Sequence, residues 1–135
     1  RNFYDTSQLK KGKDIFLIAH GASVLRALEA AEVLKSEHNI DAEVLDLRSI
    51  RPLDQDAIIE SVKKTNRVCL VDESKPFCGV SAQITTLIQE YAFDYLDAPI
   101  KRVCTIDAPA IYSKHIELEQ LPNAKRIVDQ VLTII

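Results

Sequence analysis

Residues able to carry chemistry are few in this chain, and they are scattered. His20-Gly21 closes an apolar run just before a helix-like segment. An imidazole in such a turn can contact an anion or a partner group, or it can simply pack or cap. Arg48 and Arg51 bracket Ser49-Ile50 ahead of Pro52. Two guanidiniums there can hold a phosphate or carboxylate, or tie loops together through Asp72 and Glu73. Asp72-Glu73 itself could be an acid–base pair, but adjacent residues at a strand end point apart, and solvated charge accounts for them. His20-Gly21 matches neither GxGxxG nor GxxxxGK[ST], so it is a poor nucleotide loop. His20, His38 and His115 lack metal-ligand spacing to a Cys or carboxylate. Cys69, Cys78 and Cys104 are an odd number without a CxxC pair, and they read as small reduced core residues. No Ser/His/Asp or Cys/His set follows from spacing. From residue types alone, neither a catalytic group nor a cofactor- or metal-binding one is expected here.

What must position these groups is a repeated unit of buried strand, turn and helix. Asp14 to Leu34 shows it first. Ile15 to Ala19 is an apolar run suited to a strand covered on both faces. Val24, Leu25, Leu28, Ala31 and Leu34 then recur at helical spacing, with Arg26, Glu29 and Glu32 opposite. This helix is expected to run to about Glu37 and to close at His38-Asn39. Strands follow at Ala42 to Leu47, Arg67 to Val71 and Ile100 to Ile106. A helix is expected after Pro52 with Asp54 as its N-cap and Ile58, Ile59 and Val62 inward. Another opens at Gly79 with Val80, Ile84, Leu87, Ile88 and Tyr91 on one stripe. The last covers Ala124 to about Leu132. Residues 1–13 read as an entry segment or interdomain linker, and residues 14–135 as one domain.

This alternation implies a parallel α/β sheet with helices on both faces and right-handed crossovers. Working loops of such sheets lie at the carboxyl ends of the strands. Those are His20 to Ala22, Leu47 to Leu53, Asp72 to Cys78 and Asp107 to Tyr112. The chain has 135 residues, 47% hydrophobic and 27% charged, with a net charge of -3. It can bury a real core. It carries no basic field for nucleic acid and no apolar run of membrane-spanning length. Arg at position 1 suggests a piece of something longer, and no signal peptide is expected.

Four segments, in this order, carry a resemblance: LDLRSIRPLD, DESKPFCGVSAQI, FDYLDAPIKRV and LPNAKRIVDQVL. Together they resemble the C-terminal domain of the beta subunit of the first component of 2-oxo acid dehydrogenases, of pyruvate or branched-chain type, within the transketolase superfamily. RPLD is shared with other transketolase-type domains, whereas YLDAP and the LP…IV tail are more specific. The turn at His20-Gly21, the step at Cys78-Gly79 and the loop at Ala108 to Tyr112 depart from the family's pattern.

The resemblance implies a three-layer α/β/α fold, with a mostly parallel sheet of about five strands, one of them antiparallel. It implies a parent enzyme that uses thiamine diphosphate and Mg to decarboxylate a 2-oxo acid oxidatively and to acylate lipoyl, working in the bacterial cytoplasm or the mitochondrial matrix. The alpha subunit and a preceding domain would hold the cofactor, so these 135 residues are expected to bind none and to be inactive alone. The partners implied are an alpha subunit, a second beta subunit and the basic subunit-binding domain of the acyltransferase. By the family's pattern Asp97 and the carboxylate at Ile135 would supply the acidic docking contacts. Asp97 also reads as a turn residue before Pro99. Two other readings stand beside this one: a dimerisation domain of another transketolase-type enzyme, and an autonomous interaction module.

Overall fold

A computed structural model describes residues 7–21, 23–47, 55–72, 80–103 and 123–135. The expectations at Arg48, Arg51, Asp54, Glu73, Cys78, Cys104 and His115 lie outside the described residues. Among the described residues, five strands and four helices follow in the order β1 Ser7–Lys10, β2 Ile15–Ala19, α1 Ser23–His38, β3 Ala42–Asp46, α2 Gln55–Thr65, β4 Val68–Val71, α3 Val80–Ala92, β5 Lys101–Val103 and α4 Ala124–Leu132. The sheet order is β1-β3-β2-β4-β5. The last four strands pair in parallel, with Leu17 opposite Val44 on one side and Cys69 on the other. Cys69 in turn faces Lys101 on β5. β1 lies antiparallel beside β3, with a register shift between Gln8 and Lys10. The sheet thus extends into the stretch that reads as an entry segment in the sequence.

Period-two alternation along each strand splits the core into two layers. Ile15, Leu17, Ala19, Val44, Cys69 and Val71 face α1 and α4. Phe16, Ile18, Leu45, Val68 and Leu70 face α2 and α3. Each large side chain so buried contributes about 1.5–3 kcal/mol relative to exposure. Every residue of β2 is buried, which explains why its sequence is an unbroken apolar run rather than an alternating one.

Two stripes differ from the sequence expectation. On α1 the buried line is Ala27, Ala30, Ala31 and Leu34, while Leu25 is exposed and Val24 and Leu28 only lean on the core. Small side chains let the helix lie close on the sheet, and a reading weighted toward large apolar residues mistakes their direction. On α3 the buried residues include Ile84, Leu87, Ile88 and Ala92, and Tyr91 is 61% exposed. Ile84, Ile88 and Ala92 occupy the i, i+4, i+8 line, so Tyr91 is turned off it.

α1 and α2 end on asparagines with left-handed backbones, Asn39 (φ 53°) and Asn66 (φ 64°). Asn66 donates its backbone N–H to the Val62 carbonyl at 2.8 Å, closing α2 with an αL cap. α4 starts at Asn123, whose side chain accepts from the Arg126 N–H at 2.9 Å.

At the amino edge of the sheet Gly12 runs against β3. A Cβ on it would lie 2.3 Å from the Ala42 carbonyl carbon and 2.5 Å from the Glu43 nitrogen. Glu43 is completely buried on the α2 side of β3, and its Oε1 accepts from the Gly12 N–H and from Lys64 Nζ. That carboxylate ties the turn before β2 to the end of α2.

Candidate functional site

The carboxyl edge of the sheet, where the sequence directs attention, is described only in part. His20 follows β2 and is exposed, and among the described residues its imidazole has no hydrogen-bond or ion-pair partner. Gly21 adopts φ +63°, and its carbonyl accepts the Val24 N–H at 3.2 Å, starting α1. This turn needs glycine for its backbone; nothing described aims a second polar group at His20.

The opposite edge is better defined. Asn66 and Arg67 sit between α2 and β4, and each holds a different part of the chain. The Asn66 carbonyl accepts the Asp97 N–H at 2.8 Å, and its side-chain Nδ2 donates to the Tyr95 carbonyl at 2.7 Å. Arg67 donates from Nε to the Ile134 carbonyl at 2.9 Å. Two consecutive residues therefore fix the Asp97 loop and the Ile134-Ile135 tail at the same end of β4. Ile134 is buried at 7% exposure, whereas Ile135 is 53% exposed and Asp97 is exposed. Within this chain the tail thus has one buried apolar residue, Ile134, while Leu132 and Ile135 are exposed.

Around Asp97 the chain is short-tethered and aromatic. Residues Phe93–Tyr95 form one 3-10 turn, closed by the Leu96 N–H on the Phe93 carbonyl at 3.1 Å. Leu96 and Ile100 pack against the α2–α3 core layer and Ala98 against the other. Lys63 Nζ lies 5.3 Å from the centroid of the Tyr95 ring, within cation–π range. Among the described residues no three His, Cys, Asp or Glu side chains converge as metal ligands would. No described helix is long and apolar enough to cross a membrane.

Sequence reasoning brings Asp97 and Ile135 forward but misses the residues that hold them. Asn66 carries a readable signal, since asparagine directly after Lys-Lys-Thr at a helix end favours the left-handed cap. Arg67 reads only as the first residue of a strand, and its bond to residue 134 spans 67 positions. Glu43 is hidden inside AEVLDL, where a strand carboxylate reads as an outward-facing residue.

The family model for the transketolase C-terminal domain matches residues 5–127. The chain belongs to that family. Its curated relatives include the pyruvate dehydrogenase E1 component subunit beta of Rickettsia felis, 45% identical over 91% of this chain and 37% of that protein. The mitochondrial counterpart of Saccharomyces cerevisiae is 44% identical over 93% of this chain and 35% of its own length. The beta subunit of an acetoin:2,6-dichlorophenolindophenol oxidoreductase of Bacillus subtilis is 44% identical over 93% and 36%. The chain thus spans about a third of the length of these relatives. Among solved structures, an inactive beta4 tetramer of a split-gene transketolase superposes with a TM-score of 0.86 at 26% identity, covering 99% of this chain and 43% of that one. This transketolase C-terminal domain therefore has close homologues among 2-oxo acid dehydrogenase beta subunits, in bacteria and in mitochondria.

Proposed function

We propose that this domain is the assembly and docking part of the beta subunit of a thiamine-diphosphate-dependent 2-oxo acid dehydrogenase. The parent enzyme decarboxylates a 2-oxo acid oxidatively and passes the acyl group to lipoyl. The cofactor, when bound, supplies the carbanion chemistry. This domain supplies subunit surface facing an alpha subunit and a second beta subunit, and a contact for the basic subunit-binding domain of the acyltransferase. The observation that carries the reading is the pairing of Asp97 and the Ile134-Ile135 tail on the consecutive residues Asn66 and Arg67. A residue whose backbone is already tied in place spares the loop-ordering cost of binding, and its exposed carboxylate suits a rim contact that steers a basic partner.

The test is calorimetric titration of the full-length subunit, assembled with its alpha subunit, against the isolated subunit-binding domain at low and moderate salt. Binding that weakens with salt supports the assignment. Absence of binding at both salts favours a dimerisation domain of another transketolase-type enzyme. That second reading has the beta-only tetramer of the split-gene transketolase behind it, at 26% identity against 42–45% for the dehydrogenase relatives.

A further inference from the structure

Three aromatic side chains occupy alternate positions next to Asp97, and none of them belongs to the core. Tyr91 is 61% exposed, Phe93 64% and Tyr95 44%. The segment is anchored instead by buried Ala92, by Leu96 and by the Asn66 side chain on the Tyr95 carbonyl. Lys63 connects the rings: its ammonium lies over Tyr95, and its side chain lines, with Tyr91, a groove of about 430 Å³ between α2 and α3. Asp56 and Glu60 line the same groove. Asp94 and Asp97 punctuate the aromatic stretch, and among the described residues none of these four carboxylates has an ion-pair partner.

Monomeric surfaces rarely leave several large aromatics together in water. Aromatic faces alternating with unpaired carboxylates match one ligand chemistry well. A guanidinium stacks on the ring and bonds the carboxylate with its fork of donors. The chain's own Lys63 already sets a cation over the Tyr95 face, 5.3 Å from its centroid.

We propose that Tyr91, Phe93 and Tyr95, with Asp94, form an aromatic docking patch that receives arginine side chains of the basic partner anchored at Asp97. The patch rests on the docking reading above and supplies what Asp97 and Ile135 do not: apolar contact area at the centre of a charged rim. The patch continues through Tyr91 and Lys63 into the α2–α3 groove.

The test compares variants of the full-length subunit in the assembled enzyme, titrated with the isolated subunit-binding domain over a salt series. The double variant Tyr91→Ala/Phe93→Ala should weaken binding roughly tenfold with a nearly unchanged salt slope. Phe93→Tyr alone, which keeps an aromatic face, should bind nearly as well as the unaltered enzyme. Asp94→Lys, at an exposed position, should weaken binding by repulsion of the basic partner and serves if the double variant assembles poorly. Asp97→Asn should weaken binding and flatten the salt dependence. Unchanged affinity in the aromatic and Asp94 variants, with Asp97→Asn still impaired, would remove the patch and leave the docking reading standing. Failure of the unaltered enzyme to bind would remove the docking reading itself. Loss of alpha- or beta-subunit assembly in Tyr91→Ala/Phe93→Ala, with Asp94→Lys binding normally, would assign the aromatics to an interface inside the enzyme and overturn the proposal.

Discussion

Arg67 donates from Nε to the Ile134 carbonyl at 2.9 Å, so the residue that enters β4 also holds the tail that follows α4. The tail's backbone is thereby fixed with Ile134 buried and Ile135 outside. Replacing Arg67 with Ala should cost about 1.5–3 kcal/mol, the range for a hydrogen bond to a charged donor, and should loosen the tail. Urea unfolding and hydrogen exchange of residues 131–135 would measure the two effects. Arg67→Lys should recover only part of the stability, because an ammonium lacks the Nε donor geometry. Equal stability of Arg67→Ala and the parent would show that the tail is held by Ile134 packing alone.

Asn66 has two separable jobs, a left-handed cap and a side-chain bond to Tyr95. Asn66→Gly keeps the first and loses the second, whereas Asn66→Ala loses both and adds about 1–2 kcal/mol of backbone strain at φ 64°. Thermal unfolding should therefore rank Asn66 above Gly and Gly above Ala. An alanine variant as stable as the glycine one would contradict the assigned cap.

The turn at Gly12 is closed to any side chain. Gly12→Ala places a methyl 2.3–2.5 Å from β3 backbone atoms, which cannot rotate away. The expected loss is about 1–3 kcal/mol or more. Chemical denaturation should show it as a lower midpoint, with a displaced β1–β2 turn visible in amide chemical shifts. Full stability would mean that the approach to Ala42 relaxes without cost.

Glu43 and Lys64 join a buried carboxylate on β3 to a half-exposed ammonium on α2. Lys64→Met should destabilise by about 2 kcal/mol, below the 3–5 kcal/mol for removing one partner of a fully buried pair, because water reaches the lysine. The double variant Glu43→Leu/Lys64→Met should regain most of that loss. A double-mutant cycle with no coupling between the two positions would show that this ion pair adds no net stability.

Asp97→Asn combined with removal of Ile135 should weaken docking of the subunit-binding domain most at low salt. Calorimetry at two ionic strengths reads this directly. Unchanged low-salt affinity would count against both residues as docking contacts.

Local pattern was enough to place β2, α1, β3, α2 and β4, because buried strands show as short apolar runs and helices as a repeating apolar stripe, each within neighbouring residues. β4 lies within the stretch read as a strand, and α4 matches its expected span. Segments such as YLDAP were enough to indicate the family. Those features are local in the chain, and single-residue chemistry decides them. What the sequence could not show was direction and company. Helical spacing puts Tyr91 on a stripe, yet the rotation of α3 against the sheet turns Tyr91 outward and Ala92 in. The linker-like residues 7–10 become β1 only because β3 offers an open edge for hydrogen bonds. Glu43 is buried because Lys64 and the Gly12 N–H meet it from elements 21 and 31 positions away. Asp97 and Ile135 come to one edge because Asn66 and Arg67 hold their neighbours. Such pairings join positions tens of residues apart, so they exist only once the sheet has ordered its strands and the helices have chosen their faces.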